Sequence, residues 1–183
     1  DEPVSGMTFI TFPHDKKLSP TFTMDVHGDE QSLLNDVLPH ECLHMLIAEH
    51  FRIYIPRWCD EGLAGYNESA TTKQVFKKTV LIPALRSSGI DGAYPTNQLF
   101  EWKDYNQDIQ RVRVFYAQSC DYVRFLIDLK DEKTFIDFIH TLISSSPIQA
   151  LKKHYAFDSL IDFQNAWLET VRINLGSWRG RGP

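Results

Sequence analysis

The chain has 183 residues, 43% of them apolar, with a formal net charge of −5. That length suits one domain with a hydrophobic core, and the acidic balance argues against a nucleic-acid partner. No stretch reaches the roughly 18 continuous apolar residues of a membrane span, so none is expected.

The first residues are Asp-Glu-Pro rather than Met, which suggests a trimmed N-terminus and leaves export and the cytoplasm both open, and the small size suggests missing upstream domains. "MTFITF" (7–12) and "TFTMDV" (21–26) are rich in β-branched and aromatic residues and read as two strands joined by a turn-like "PHDKKLSP". Flanking prolines put at least one of them at a sheet edge. From Asp29 the apolar spacing becomes helical, through Leu33, Leu34, Val37, Leu38, Leu43, Leu46, Ile47 and Phe51. Pro39 either kinks this helix or opens a new one capped by Asn35 or Asp36.

Pro56 starts a short helix in "IPRWCDEGLAGYNES" (55–69), and "TKQVFKKTVLIPALRSS" (72–88) is a further helix interrupted near Pro83. Residues 89–108 read as a loop with a short helical turn, its aromatics Tyr94, Phe100, Trp102 and Tyr105 either covering a cleft or packing on the helices. Helices are expected at about 109–129, 132–144 and 158–175, with a short one near 148–155. Arg179-Gly180-Arg181 reads as a loose tail. Cys42, Cys59 and Cys120, an odd number on helical segments, read as small apolar core residues rather than a disulfide framework. The expectation is an α+β fold in a single domain over 1–183: a strand region (1–28), two helices carrying the chemistry (29–70), a helix and loop (71–108), then a helical part (109–175).

The chemistry centres on "LPHECLHMLIAEH" (38–50). His40 and His44, four apart on one helix face, can aim a nitrogen at one ion. Glu41, about 100° round the same turn, can reach a water on that ion without ligating it. This is the H-E-x-x-H arrangement, in which zinc acidifies its water and the glutamate takes the proton. A third protein ligand is needed. His50 stands at the offset used in H-E-x-x-H-x-x-G-x-x-H, but Ile47 occupies the glycine position, so no turn brings His50 back. It reads as a surface or helix-end histidine. Glu61 follows His44 by seventeen residues, enough for a helical turn, a loop through "FRIYIP" and an antiparallel return. Alone, Glu61 is a solvated acid at a helix start; after H-E-x-x-H at this distance it reads as the third ligand. The small residues Gly62-Leu63-Ala64 are expected to let two helices approach around the metal. Cys42 is expected to point into the core.

"LPHECLHML…IPRWCDEGLAGY" resembles the gluzincin metallopeptidases, the thermolysin-like and aminopeptidase-N-like branch of the zincins, and among them the small bacterial peptidase MA family metallohydrolases. "FYAQSCDYVRFL" (115–126) and "FQNAWLETV" (163–171) extend the resemblance over most of 38–175. It implies a zincin-like fold, with a small sheet packed on the active-site helix, and a Zn2+-dependent peptidase acting on a peptide or protein substrate. Its ligands would be His40, His44 and Glu61, with Glu41 as general base and Tyr116 as donor to the oxyanion. A phenol of pKa near 10 keeps its proton at neutral pH; without the resemblance Tyr116 is an ordinary aromatic on an aromatic-rich helix.

The family often carries, four positions after the third ligand, an acid that orients a ligating histidine. Gly65 stands there, leaving Asn67, Glu68 or Asp60 to substitute, or activity to be weak or narrow. The resemblance also implies that the strand before the active-site helix, 21–27, pairs with an extended substrate, Val26 and His27 flanking the cleft. His27 reads as a rim residue rather than a fourth ligand. No Gly-x-Met-Glu-Asn-like signature for holding a free amine is present, so an endopeptidase is preferred. The alternatives are a catalytically weak or inactive zincin-fold module that binds a peptide or protein, and a helical domain with no metal.

Overall fold

Two strands, β1 (Ser5–Thr11) and β2 (Thr21–His27), alternate in exposure along their whole length. They form an antiparallel hairpin with Ser5 opposite His27 and Thr11 opposite Thr21. Gly6, Thr8 and Ile10 with Phe22, Met24 and Val26 make the half-buried face, as the two-residue period of a pleated strand requires. The structure, a computed structural model, describes residues 5–15, 17–102 and 108–179, with side chains as far as 172.

The Asp29 carboxylate caps a short α1 (Glu30–Ser32) by accepting from the Ser32 amide at 3.0 Å. A π-helical turn, Leu33–Val37, leads without a break into α2 (Leu38–Phe51), with Pro39 in its first turn. A second π-turn, Lys77–Leu81, joins α4 (Ala70–Phe76) to α5 (Ile82–Ser88), just ahead of Pro83. In both places the wider turn makes room for a proline that lacks an N–H and crowds the preceding carbonyls. The expected cap at Asn35 or Asp36 is therefore corrected: the helical path has no new start to cap, and Asp36 instead accepts from the Ser69 amide at 3.0 Å.

Helix α2 ends at Arg52, in the left-handed conformation at φ 59°, its N–H closing on the Ala48 carbonyl. After a short link, Pro56 precedes α3 (Arg57–Tyr66), which returns along α2 and packs on its other side against α7 (Ile109–Leu129). Gly62 permits that contact: a Cβ there would sit 2.6 Å from the Ser119 carbonyl oxygen and 2.6 Å from Val123 Cγ2. Of the run expected to let two helices approach around a metal, Gly62 thus serves the packing of α3 on α7.

Around this pair lie α6 (Thr96–Glu101), α8 (Glu132–Ser144), α9 (Pro147–Tyr155) and α10 (Leu160–Arg179). Asp108 and Asp131 cap α7 and α8. The core is aromatic: Trp58 of α3 stacks on Phe100 at 4.4 Å, and Tyr122 meets Phe163 and Trp167 edge-on. Buried Asp121 accepts from the Trp167 indole at 2.8 Å and from Lys77 at 2.6 Å, and pairs with Arg124 at 3.0 Å. Tyr94, Phe100 and Trp102 pack on these helices and do not cover a cleft; Tyr105 and the side chains of the basic tail lie outside the described residues.

Cys42 is exposed, a correction. The inward stripe of α2 runs through Val37, Glu41, His44 and Ala48, and position 42 lies a further 100° round, toward solvent. All three cysteines are free; Cys59 is buried and Cys120 partly so. Among the described residues the chain is mostly helical with one two-stranded antiparallel sheet, an α+β architecture, and no helix is long and apolar enough to cross a membrane. Gly62→Ala is expected to force α3 off α7, because the blocking atom is backbone, and to cost about 1–3 kcal/mol in urea-denaturation stability.

Candidate metal centre

One turn of α2 separates His40 from His44, and both rings lean to the side on which α3 returns, their centroids 5.0 Å apart. Glu61, in the second turn of α3, points back between them. Its Oε2 lies 3.6 Å from His40 Nε2 and 3.7 Å from His44 Nε2, and the three ligand atoms all fall within 4.8 Å of one another. Donor atoms around one tetrahedral metal ion sit roughly 3.4 Å apart, so the carboxylate oxygen is already near that spacing from each imidazole and the group could hold one ion.

Each imidazole is held from behind by a carboxylate. Glu68 Oε1 is 2.7 Å from His40 Nδ1, and Asp60 Oδ1 is 3.0 Å from His44 Nδ1. A carboxylate at Nδ1 keeps the proton there, which leaves the Nε2 lone pair for a metal and fixes the ring plane. Of the three substitutes open in the sequence, Glu68 and Asp60 divide the task, while Asn67 donates to the Pro39 carbonyl at 3.3 Å. A Cβ at Gly65 would lie 3.4 Å from the Cys120 Cβ and 4.0 Å from Glu68 Oε1, so Glu68 already holds the space an acid at 65 would take. Arg57, which sequence reasoning passed over, donates to Glu61 Oε1 at 3.3 Å and leaves Oε2 to face the imidazoles. Its position four before Glu61 on one helix was the available signal.

The surroundings call for positive charge. Burial opposes charging of His40, but hydrogen bonds and attraction from Glu61 and Glu68 outweigh it and lift its pKa to about 10. Burial likewise opposes His44, yet Asp60 and Glu61 raise it above its ordinary value. Burial works against ionising Glu61, and the two imidazoles overcome that and hold its carboxyl low. A dication at the centre would meet the same demand, and His40, His44 and Glu61 together could hold such an ion.

Glu41 is buried at 5% exposure beside these residues, and its Oε2 has no hydrogen-bond partner among the described residues. The β1 backbone lies against it: a Cβ on Gly6 would come 2.6 Å from Glu41 Oε1, and the Thr8 hydroxyl donates to the Glu41 carbonyl at 3.3 Å. An unpartnered buried carboxylate next to a three-ligand cluster fits a site where water and metal complete the arrangement.

A cavity of about 1950 Å³ opens over the cluster, between β1 on one side and α4, α5 and α7 on the other, and Tyr116 lines it with His40, Glu41, His44 and Glu61. All seven residues of β1 line this cavity and none of β2 does. The strand facing the cleft is therefore β1, a correction to the assignment of 21–27, since the hairpin turns its first strand toward the cavity. Val26 and His27 do not line it. His50 is exposed at the far end of α2, its Nε2 3.1 Å from His140 Nε2, away from the cluster.

Replacing either rear carboxylate, as Asp60→Asn or Glu68→Gln, is expected to weaken zinc affinity about 10–100-fold in competition with a chromogenic chelator. In chelator-stripped protein, the stabilisation from His40 is complete below its ordinary pKa of 6.5 and is lost as pH rises toward about 10. That from Glu61 is present above 4.5 and lost as pH falls through its lowered value. Thermal melts of stripped protein should therefore fall between neutral pH and pH 10, and Glu68→Gln should flatten that decline. No family model, curated protein or solved structure matches the chain.

Proposed function

We propose that this chain is a zinc-dependent peptidase of the gluzincin type, with His40, His44 and Glu61 as metal ligands and Glu41 as general base. The observation that carries this reading is the convergence of His40, His44 and Glu61 on one point beside the buried, unpartnered carboxylate of Glu41. Zinc held there would polarise the scissile carbonyl and acidify a water molecule.

Glu41 takes a proton from the attacking water and delivers it to the leaving amine. Its place on the helix puts it beside the ligands and outside their set, and Gly6 shields it from bulk solvent. Tyr116, in the cavity wall, donates to the developing oxyanion. Asp60, Glu68 and Arg57 hold the ligands in position. Among the described residues β1 has a strand neighbour on one side only, so its other edge is available to pair with an extended substrate. The cavity follows β1 along its full length, which supports cleavage within a chain over removal of a terminal residue.

The competing reading, an inactive binding module, drew its support from Gly65, and Glu68 with Asp60 now supplies the orientation that position lacks. Glu41→Gln is expected to retain zinc, measured by elemental analysis, while kcat on a quenched fluorescent peptide library falls about 10²–10⁴-fold. Wild-type turnover should also disappear with chelator and return with zinc. Equal, negligible hydrolysis by zinc-loaded wild type and Glu41→Gln would leave only the binding module.

A further inference from the structure

The two long walls of the cavity differ in charge. The strand wall, Ser5–Thr11, has no ionisable side chain. The opposite wall includes the segment 70–88, which holds Lys73, Lys77, Lys78 and Arg86 and no acid, a local charge of +4 in a chain of −5. All four line the cavity, joined by Arg124 of α7.

The carboxylates in the same cavity do not cancel this wall. Asp60, Glu61 and Glu68 sit at the imidazoles, Glu41 lies beside them, and Asp36 accepts from the Ser69 amide; among the described residues none of them is ion-paired with the wall's cations. Asp121 serves Lys77, Arg124 and the Trp167 indole at once. Lys73 donates to the Tyr66 carbonyl at 2.6 Å, Lys78 reaches only Gln74, at 3.5 Å, and neither they nor Arg86 form an ion pair among the described residues. A wall segment of one sign of charge attracts ligand groups of the other sign and selects among them. An uncharged strand edge in the same cavity suits a polypeptide better than a nucleic acid: the edge takes the main chain, and alternate side chains of an extended peptide then project from one face of the enlarged sheet, within the cavity that the cations line.

We infer that the cleft selects peptide substrates with acidic side chains at alternate positions around the scissile bond, read by the cationic wall of α4 and α5. This rests on the peptidase reading for the identity of the occupant, and the test separates the two. Zinc-loaded Glu41→Gln protein serves as the binding form. Labelled short peptides of one sequence, with two alternate positions set to Glu, Gln or Lys, are titrated by fluorescence anisotropy at low and high salt, beside a labelled oligonucleotide.

The Glu peptide is expected to bind about tenfold tighter than the Lys peptide at low ionic strength, the ratio shrinking as salt is raised. Charge reversal in K78E/R86E should abolish or invert that order while zinc content and thermal melt stay unchanged, and K78R/R86K should keep it. Equal affinity for the Glu and Lys peptides, an order that K78E/R86E leaves untouched, or tighter binding of the oligonucleotide overturns the inference. Hydrolysis by wild type without charge preference overturns it while leaving the peptidase reading standing. Charge-selective binding without any hydrolysis upholds the cationic selector and removes the peptidase reading.

Discussion

Helix α3 must satisfy two neighbours at once, and the site depends on that double fit. On one side Gly62 lets its backbone come against α7 at Ser119, and Trp58 and Cys59 enter the aromatic core. On the other, Asp60, Glu61 and, just past its end, Glu68 reach the imidazoles of α2. Ten helical residues set both contacts, so the hydrophobic packing that anchors α3 also fixes the position of its carboxylates. Helical periodicity alone separates the two duties: neighbours in sequence fall on different faces.

The electrostatics follow from this placement. Three carboxylates gathered behind and between the two imidazoles, with Arg57 paired to one of them, leave a surplus of negative charge at the floor of the cavity. Such a pocket is costly to fold unless positive charge enters it. Protons on the histidines and a divalent ion compete for the same role, so pH and metal content act on stability through one set of atoms.

Much of the framework was legible because the signals were local. The bounds of α7 and α8 follow from apolar spacing, and the structure adds the caps that fix their starts, Asp108 and Asp131. The convergence of His40, His44 and Glu61 follows from a four-residue helical spacing and a gap long enough for a reversal. Features set by how elements lie on one another were not legible. Which strand of the hairpin faces the cavity depends on the side from which it docks on α2, and the strand sequences alone do not encode that. The division of labour between Asp60 and Glu68 depends on the rotation of α3 about its axis. The π-turns before Pro39 and Pro83 relieve the prolines without breaking either helix, whereas the sequence signal at Pro39 allowed a kink or a fresh start. The exposure of Cys42 was misjudged because its distance from the histidines was counted in residues, when the angle around α2 decides it.

The link between α2 and α3 has a mechanical side. Arg52 donates to the Leu18 carbonyl at 2.8 Å, and Tyr54 donates to the Ile10 carbonyl at 2.9 Å. The few residues that set the spacing from His44 to Glu61 therefore also latch the hairpin. Swinging β1 outward would have to break this latch or load the connecting loop, so the width of the cavity's entrance and the spacing from His44 to Glu61 are geared together.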